Sequence, residues 1–307
     1  MRFLMVAPAV TLLSACAYFG HHPASPRGDI PTADPLATSA ASPDAISVYR
    51  DAGLIVSDAH FPFVGVVHYF AGRTADSTFA LVALSFANRT LTFAVDGATR
   101  HARYDVVLEA RQGKHVIART ANRETVRVNS SGEAMEADAR IIFQRYLTLP
   151  PGDATLIVDV RDANGANAIT LRTRLAVPRL GARTLAPPVI AYSVVPRLRL
   201  DSLPRLVVNP RDAMHAERDS VATIYVEGYG VDSATRVLAT VLDGNDRMVQ
   251  QDTALFGGDS IVGSATFHVP LAALGAGRFT VTAAVPGLAD TVRTPLLVRM
   301  AREARTP

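Results

Sequence analysis

The chain has no tryptophan, a single cysteine and, among its 31 basic residues, a single lysine, Lys114. One cysteine excludes an intrachain disulfide, so whatever fold this chain adopts must be held by packing. Charged side chains are only 19% of its 307 residues, against 49% hydrophobic, and the formal net charge is +3. That charge is too slight to mark a nucleic-acid-binding protein, and along the chain the arginines alternate with Asp and Glu instead of forming a stripe. Arg299, Arg302 and Arg305 are the nearest approach to a cluster and read as a solvated tail. No run after Leu13 approaches about 18 uninterrupted apolar positions, the length at which a segment reads as a membrane-spanning helix. Helical periods of useful length are nearly absent too, which leaves strands as the means of burying the apolar half of the chain.

The first feature present is N-terminal. Arg2 precedes an apolar run from Phe3 to Leu13, and Leu13-Ser14-Ala15-Cys16 closes it. A basic residue, a short apolar segment and small residues, in that order, make a removable export signal too short to cross a bilayer. The four closing residues resemble the lipobox of bacterial lipoproteins. The resemblance implies cleavage before Cys16, with Leu13, Ser14, Ala15 and Cys16 as the cleavage signal. It also implies diacylation of the Cys16 thiol and a mature protein anchored by lipid in the cell envelope, facing the periplasm. Cys16 is then an anchor and not a nucleophile. Residues 16–46 carry Pro23, Pro26, Pro31, Pro35 and Pro43 among Ala, Ser and Asp with no hydrophobic period, and read as a linker. Its reach runs from roughly 30 Å as a flexible coil to roughly 90 Å if polyproline-like. His21 and His22 lie within it with no third ligand nearby, so they make no metal site.

From about Ser47 the pattern becomes short alternating runs broken by Gly, Asn, Asp and Pro. Tyr104, Val106, Leu108 and Ala110 share one parity while Asp105, Glu109 and Arg111 share the other, the period of a strand with one buried face. Similar runs fall near 63–70, 78–86, 91–95, 124–128, 140–149, 154–160 and 169–177. After a proline-rich stretch from Pro178 to Pro196, a second series falls near 206–208, 221–229, 236–242, 260–269, 278–285 and 291–299. This spacing predicts an all-β chain of two tandem sandwiches, the first over residues 47–180, the second and smaller over 181–300, with a tail over 301–307. Leu156, Val158 and Val160 in the first, and Phe279 and Val281 in the second, are candidate core residues.

In both halves a turn ending at glycine, Gly152 or Gly277, enters an alternating strand. This resembles the penultimate strand of immunoglobulin-like or fibronectin-like sandwiches, although Ala154 and Phe279 stand where those usually place tyrosine. The chain as a whole resembles the N-terminal region of bacterial lipoproteins that carry the GWxTD motif. The resemblance rests on the lipobox, on Leu149-Pro150-Pro151-Gly152, on Asp162-Ala163-Asn164-Gly165, on Val177-Pro178-Arg179, and on the stretch from Asn209-Pro210 to Ile224-Tyr225-Val226-Glu227-Gly228-Tyr229. The signature Gly-Trp-x-Thr-Asp is missing, so no role tied to that domain carries over.

Catalytic candidates are sparse. Gly257-Gly258-Asp259-Ser260 is similar to the Gly-Asp-Ser block of certain lipases and esterases, but it comes late in the chain and no Asp-x-x-His follows. A strand-entry turn is the expectation, since an isolated serine lacks the oriented base a nucleophile needs. His60, His68, His101, His115, His215 and His268 show no metal-binding spacing. Asp162-Ala163-Asn164-Gly165 and Asp243-Gly244-Asn245-Asp246 contain calcium-loop residue types but read better as hairpin turns, and Asn88-Arg89-Thr90 is a formal glycosylation sequon without meaning in a bacterial lipoprotein. The expectation is a non-enzymatic binding or scaffolding module of the envelope with no cofactor, no metal and no catalytic residue. Its membrane contact is the N-terminal lipid, its partner an envelope protein or a glycan, and not a nucleic acid. The alternative is an envelope hydrolase or an accessory carbohydrate-binding subunit.

Overall fold

The computed structural model describes residues 54–57, 61–97, 99–129, 139–211, 213–216, 218–232, 234–259 and 261–299. The export signal, Cys16, the linker, His60, Ser260 and the tail after Arg299 lie outside the described residues. Within them the chain is all β, and the alternating runs of the sequence have become antiparallel strands. The first sandwich contains β1 (Ile55–Ser57), β2 (Phe63–Ala71), β3 (Thr78–Ala87), β4 (Ala94–Asp96), β5 (Thr99–Gln112), β6 (His115–Asn129), β7 (Arg140–Leu149), β8 (Gly152–Asp162) and β9 (Ala168–Val177). One sheet has the order β1-β2-β3-β7; the other is β4-β5-β8-β9, with β6 along the free side of β5. Phe63, Val82 and Leu84 from the first meet Val106, Leu108, Leu156, Val158 and Val160 from the second, all buried.

The second sandwich contains β10 (Thr184–Leu185), β11 (Val189–Val195), β12 (Arg205–Val208), β13 (Ala213–His215), β14 (Val221–Tyr229), β15 (Arg236–Leu242), β16 (Met248–Leu255), β17 (Gly257–Gly258), β18 (Val262–Pro270), β19 (Gly277–Ala284) and β20 (Thr291–Arg299). Its sheets have the orders β12-β11-β14-β18-β17, with β10 also on β14, and β13-β20-β19-β15-β16. Ile224, Val226 and Phe267 face Val241, Phe279, Val281 and Leu296 across its core. Gly228 and Gly263 stand opposite each other on β14 and β18, and both give room to Phe256; a Cβ on either would come within 2.9 Å of that side chain.

Three departures from the sequence pattern matter. Of residues 91–95 only Ala94 and Val95 are in a strand: a 3-10 turn over Asn88–Thr90 is tied by the Thr90 hydroxyl donating to the Ala87 carbonyl at 2.6 Å, and β4 begins only at Ala94. The proline-rich stretch holds a strand, β11, because Pro187, Pro188 and Pro196 fall outside its ladder, where no N–H is needed. The third departure is the largest. The sheets containing β3 and β14 are covered on both faces, and their outer sides pack on each other: Val64, Val66, Phe70, Phe79, Leu81 and Ala83 meet Val189, Leu206, Val208 and Tyr225 in a shared core. The four sheets therefore stack as four layers, two inner and two outer.

Candidate functional site

The most unusual chemistry in the fold sits where the two inner sheets meet. β14 alternates strictly: Ala222, Ile224 and Val226 enter the core of the second sandwich, which turns Tyr225, Glu227 and Tyr229 toward the first. A carboxylate on that side is buried among apolar groups, and it is stable there only because every direction around it is filled. Arg197, just beyond β11, supplies the countercharge; the carboxylate and the guanidinium are both fully shielded from solvent.

One Glu227 oxygen, Oε1, accepts from the Tyr225 hydroxyl at 2.5 Å and from Arg197 Nε at 3.2 Å. The other, Oε2, accepts from the Tyr229 hydroxyl at 2.6 Å, from Arg197 Nη2 at 2.8 Å and from Nε at 3.2 Å. Arg197 then crosses to the first sandwich: Nη2 donates to the Ala71 carbonyl at 2.9 Å, while Nη1 donates to the Ser202 carbonyl at 3.2 Å. The Ala71 N–H completes the circuit by donating to the Tyr229 oxygen at 3.0 Å. Both backbone groups at the end of β2 are thus satisfied by side chains of the second sandwich. The guanidinium also lies 5.9 Å from the ring centres of Phe79 and Tyr229, one from each sandwich.

Burial pushes the Tyr225 and Tyr229 hydroxyls well above the ordinary tyrosine range, and the adjacent Glu227 charge pushes them further, so both stay protonated donors. For Arg197, burial opposes the charge, and the nearby Glu227 carboxylate overrides it, leaving the guanidinium above its usual value. Both oxygens of the carboxylate are thus engaged, and its side chain is fully shielded from solvent. What this arrangement can do is clamp two sandwiches in one relative position. Gln144 on β7 reinforces the clamp by pairing with β12 as a strand would, its amide donating to the Leu206 carbonyl and accepting the Val208 N–H at 3.3 Å. The Tyr146 hydroxyl donates to the Pro204 carbonyl at 2.8 Å.

The residues singled out in the sequence are scattered by comparison. Asp162 is buried and accepts the Thr92 N–H at 2.8 Å and the Asn164 N–H at 3.0 Å, and a Cβ on Gly165 would fall 2.4 Å from its carboxylate. Asp243 accepts the N–H groups of Asn245 and Arg247, Asp259 those of Ile261 and Val262, and these bonds hold both carboxyls below their usual range. All three are turn-forming aspartates, with carboxylates spent on the backbone. β18 runs unbroken from Val262, with Gly263 paired to Gly228 and no fold-back there, and the exposed His268 lies 3.4 Å from the Thr223 hydroxyl. His68 is buried on the face of β2 shared by Val66 and Phe70, and among the described residues its Nε2 has no partner. Among the described residues no three of His, Cys, Asp and Glu gather to hold a metal, and no helix is long and apolar enough to cross a membrane. The Glu227 site was hidden in the sequence because Tyr-x-Glu-x-Tyr in a strand reads as a solvent face; the two flanking aromatics were the available signal.

No family model matches the chain, and no curated protein matches it. Among solved structures, a dimeric latent PorU from Porphyromonas gingivalis aligns at TM-score 0.33 and 13% identity, over 83% of this chain and 21% of that one. A Bifidobacterium dentium beta-glucuronidase complexed with coumarin-3-O-glucuronide aligns at TM-score 0.26 and 11% identity, over 72% of this chain and 39% of that one. The chain spans about one fifth and two fifths of those proteins.

Proposed function

We propose that this chain is a lipid-anchored protein of the bacterial cell envelope, related to the GWxTD lipoproteins, that acts as a non-enzymatic binding or scaffolding module. The observation that carries the reading is the clamp of Arg197 and Glu227 at the shared core. A chain whose most demanding polar network is spent on fixing two sandwiches together is built to present outer faces at a set spacing. The lipobox ending at Cys16 supplies the attachment, and the proline-rich linker supplies the reach. Partners on this reading are an envelope protein or glycan held against a sandwich face or edge.

The test is fractionation of cells making the wild type and Cys16→Ala, with mass spectrometry of the mature N-terminus and crosslinking in the native membrane. The reading expects an acylated Cys16, release of the mutant from membranes and a discrete crosslinked partner. An unacylated Cys16 or a mutant still bound removes the anchor. Turnover of generic esters that vanishes in Ser260→Ala replaces the module with a hydrolase.

A further inference from the structure

The outer sheet of the first sandwich exposes a face whose charge the linear sequence conceals. On β5, β6, β8 and β9 the buried parity fills the core and the other parity points outward, so arginines dispersed over more than seventy positions converge. The register sets Arg123, Asp105 and Arg161 side by side across three strands, and Arg119, Glu109, Ile157 and Arg172 across four. Asp105 is occupied by Arg123 at 2.7 and 2.9 Å, and Glu109 by Arg111 at 2.5 Å and Arg119 at 3.4 Å. Arg103, Arg127, Arg161, Arg172 and Arg174 face the same way, with no carboxylate within 4 Å among the described residues. Among the described residues Asp96, Asp153 and Asp159 remain on that face to balance them, and Asp159 already accepts the Thr170 hydroxyl at 3.3 Å. Arg103 to Arg111 spans roughly 26 Å along β5, and four strands span roughly 14 Å across. Among the described residues no Phe or Tyr lies on this face, so it lacks the large aromatic platforms that single-stranded nucleic-acid sites use.

We infer that this arginine-bearing sheet face is a docking surface for an anionic lipid bilayer. Guanidinium forks pair with phosphate in a bidentate manner, and an extended array without a groove fits a planar field of phosphates better than one small anion. The inference rests on the membrane-anchored reading above: a linker reaching roughly 30 to 90 Å lets the tethered body turn this face to the surface. The anchor fixes which membrane the protein meets, and the face sets how the body lies on it.

The experiment is sedimentation of the chain from residue 16 onward, carrying Cys16→Ser so that no acyl chain contributes. The vesicles are phosphatidylcholine with or without phosphatidylglycerol. Binding is expected only to the anionic vesicles, falling as salt rises, and about a hundredfold weaker in Arg161→Gln/Arg172→Gln/Arg174→Gln. Arg293→Gln, on an exposed position of β20, should bind like the parent, and the triple variant should unfold at the parent temperature. Equal binding to both vesicle types, anionic binding that survives the triple change, or preference for single-stranded DNA or an acidic polysaccharide over vesicles would each overturn the inference. Anionic binding with an unacylated native Cys16 keeps the face and removes the anchor, whereas acylation without vesicle binding does the reverse.

Discussion

β3 and β5 belong to the same sandwich and lie in facing sheets, yet they obey different rules. Along β5 every second residue is buried and the intervening ones carry Arg103, Asp105, Glu109 and Arg111 into solvent. Along β3 all ten residues are buried, because one face meets β5 and β8 and the other meets the second sandwich. Antiparallel sheets usually keep one wet face, and a two-sided burial makes this sheet behave like the middle layer of a layered α/β protein. The lesson is energetic. An outer sheet tolerates change on half of its positions, whereas an inner sheet tolerates it on almost none, and any polar group it carries must be fully satisfied.

The sharpest way to break the contrast is to remove a carboxylate from each layer. Glu227→Ala leaves Arg197 buried and uncompensated and strips two tyrosine hydroxyls of their acceptor, an expected loss of about 3–5 kcal/mol. Glu109→Ala on the outer sheet removes the partner of Arg111 and Arg119, whose side chains are 40% and 56% exposed, and should cost about 1 kcal/mol or less. Thermal unfolding of the two variants reads the difference; similar losses would mean that Glu227 is solvated.

Parity within one outer strand gives the next contrast. Val158→Asp puts an unpaired charge into the first core and should cost several kcal/mol, while the adjacent Asp159→Asn should change stability by less than about 0.5 kcal/mol. Equal effects would place the register of β8 one residue out. A similar comparison holds between layers for apolar truncation: Leu81→Ala on β3 should cost about 2–5 kcal/mol and Val107→Ala on β5 distinctly less, by denaturant unfolding.

His68 gives the contrast a pH dependence. Burial on the inner sheet lowers its pKa from 6.5 to about 4, so between those values the unfolded chain takes up a proton that the folded chain refuses. Stability from this group is therefore undiminished above about pH 6.5 and falls as pH drops toward 4, by roughly 3 kcal/mol in total. His68→Leu should flatten that part of the wild-type profile; an unchanged slope would show that His68 is reachable by water.

Outer strands were legible because water and core select different residue types on alternating positions, as from Tyr104 to Arg111 and from Leu156 to Val160. The fold class and these core residues follow from that period alone. The inner strands were legible as strands but not as inner ones, although Phe79-Ala80-Leu81-Val82-Ala83-Leu84 offers no polar residue to a solvent face. β16 was missed because both parities are mostly exposed, which erases the period. The clamp was illegible for a different reason. Whether Glu227 meets water or Arg197 depends on a partner thirty residues away in a segment read as proline-rich connection, and on Ala71 in the other sandwich. Pairing of that kind is a property of the stack of sheets, not of a local pattern.

Amide hydrogen exchange on the wild type and Glu227→Gln reads whether the two inner sheets form one shared core locked at Glu227. β3 and β14 should hold the slowest amides in the wild type. The substitution should accelerate exchange in both, together with the end of β2 around Ala71, while β5 and β8 change little. Acceleration confined to β14, with β2 and β3 as protected as before, would contradict the shared core and would make the sandwiches independent bodies.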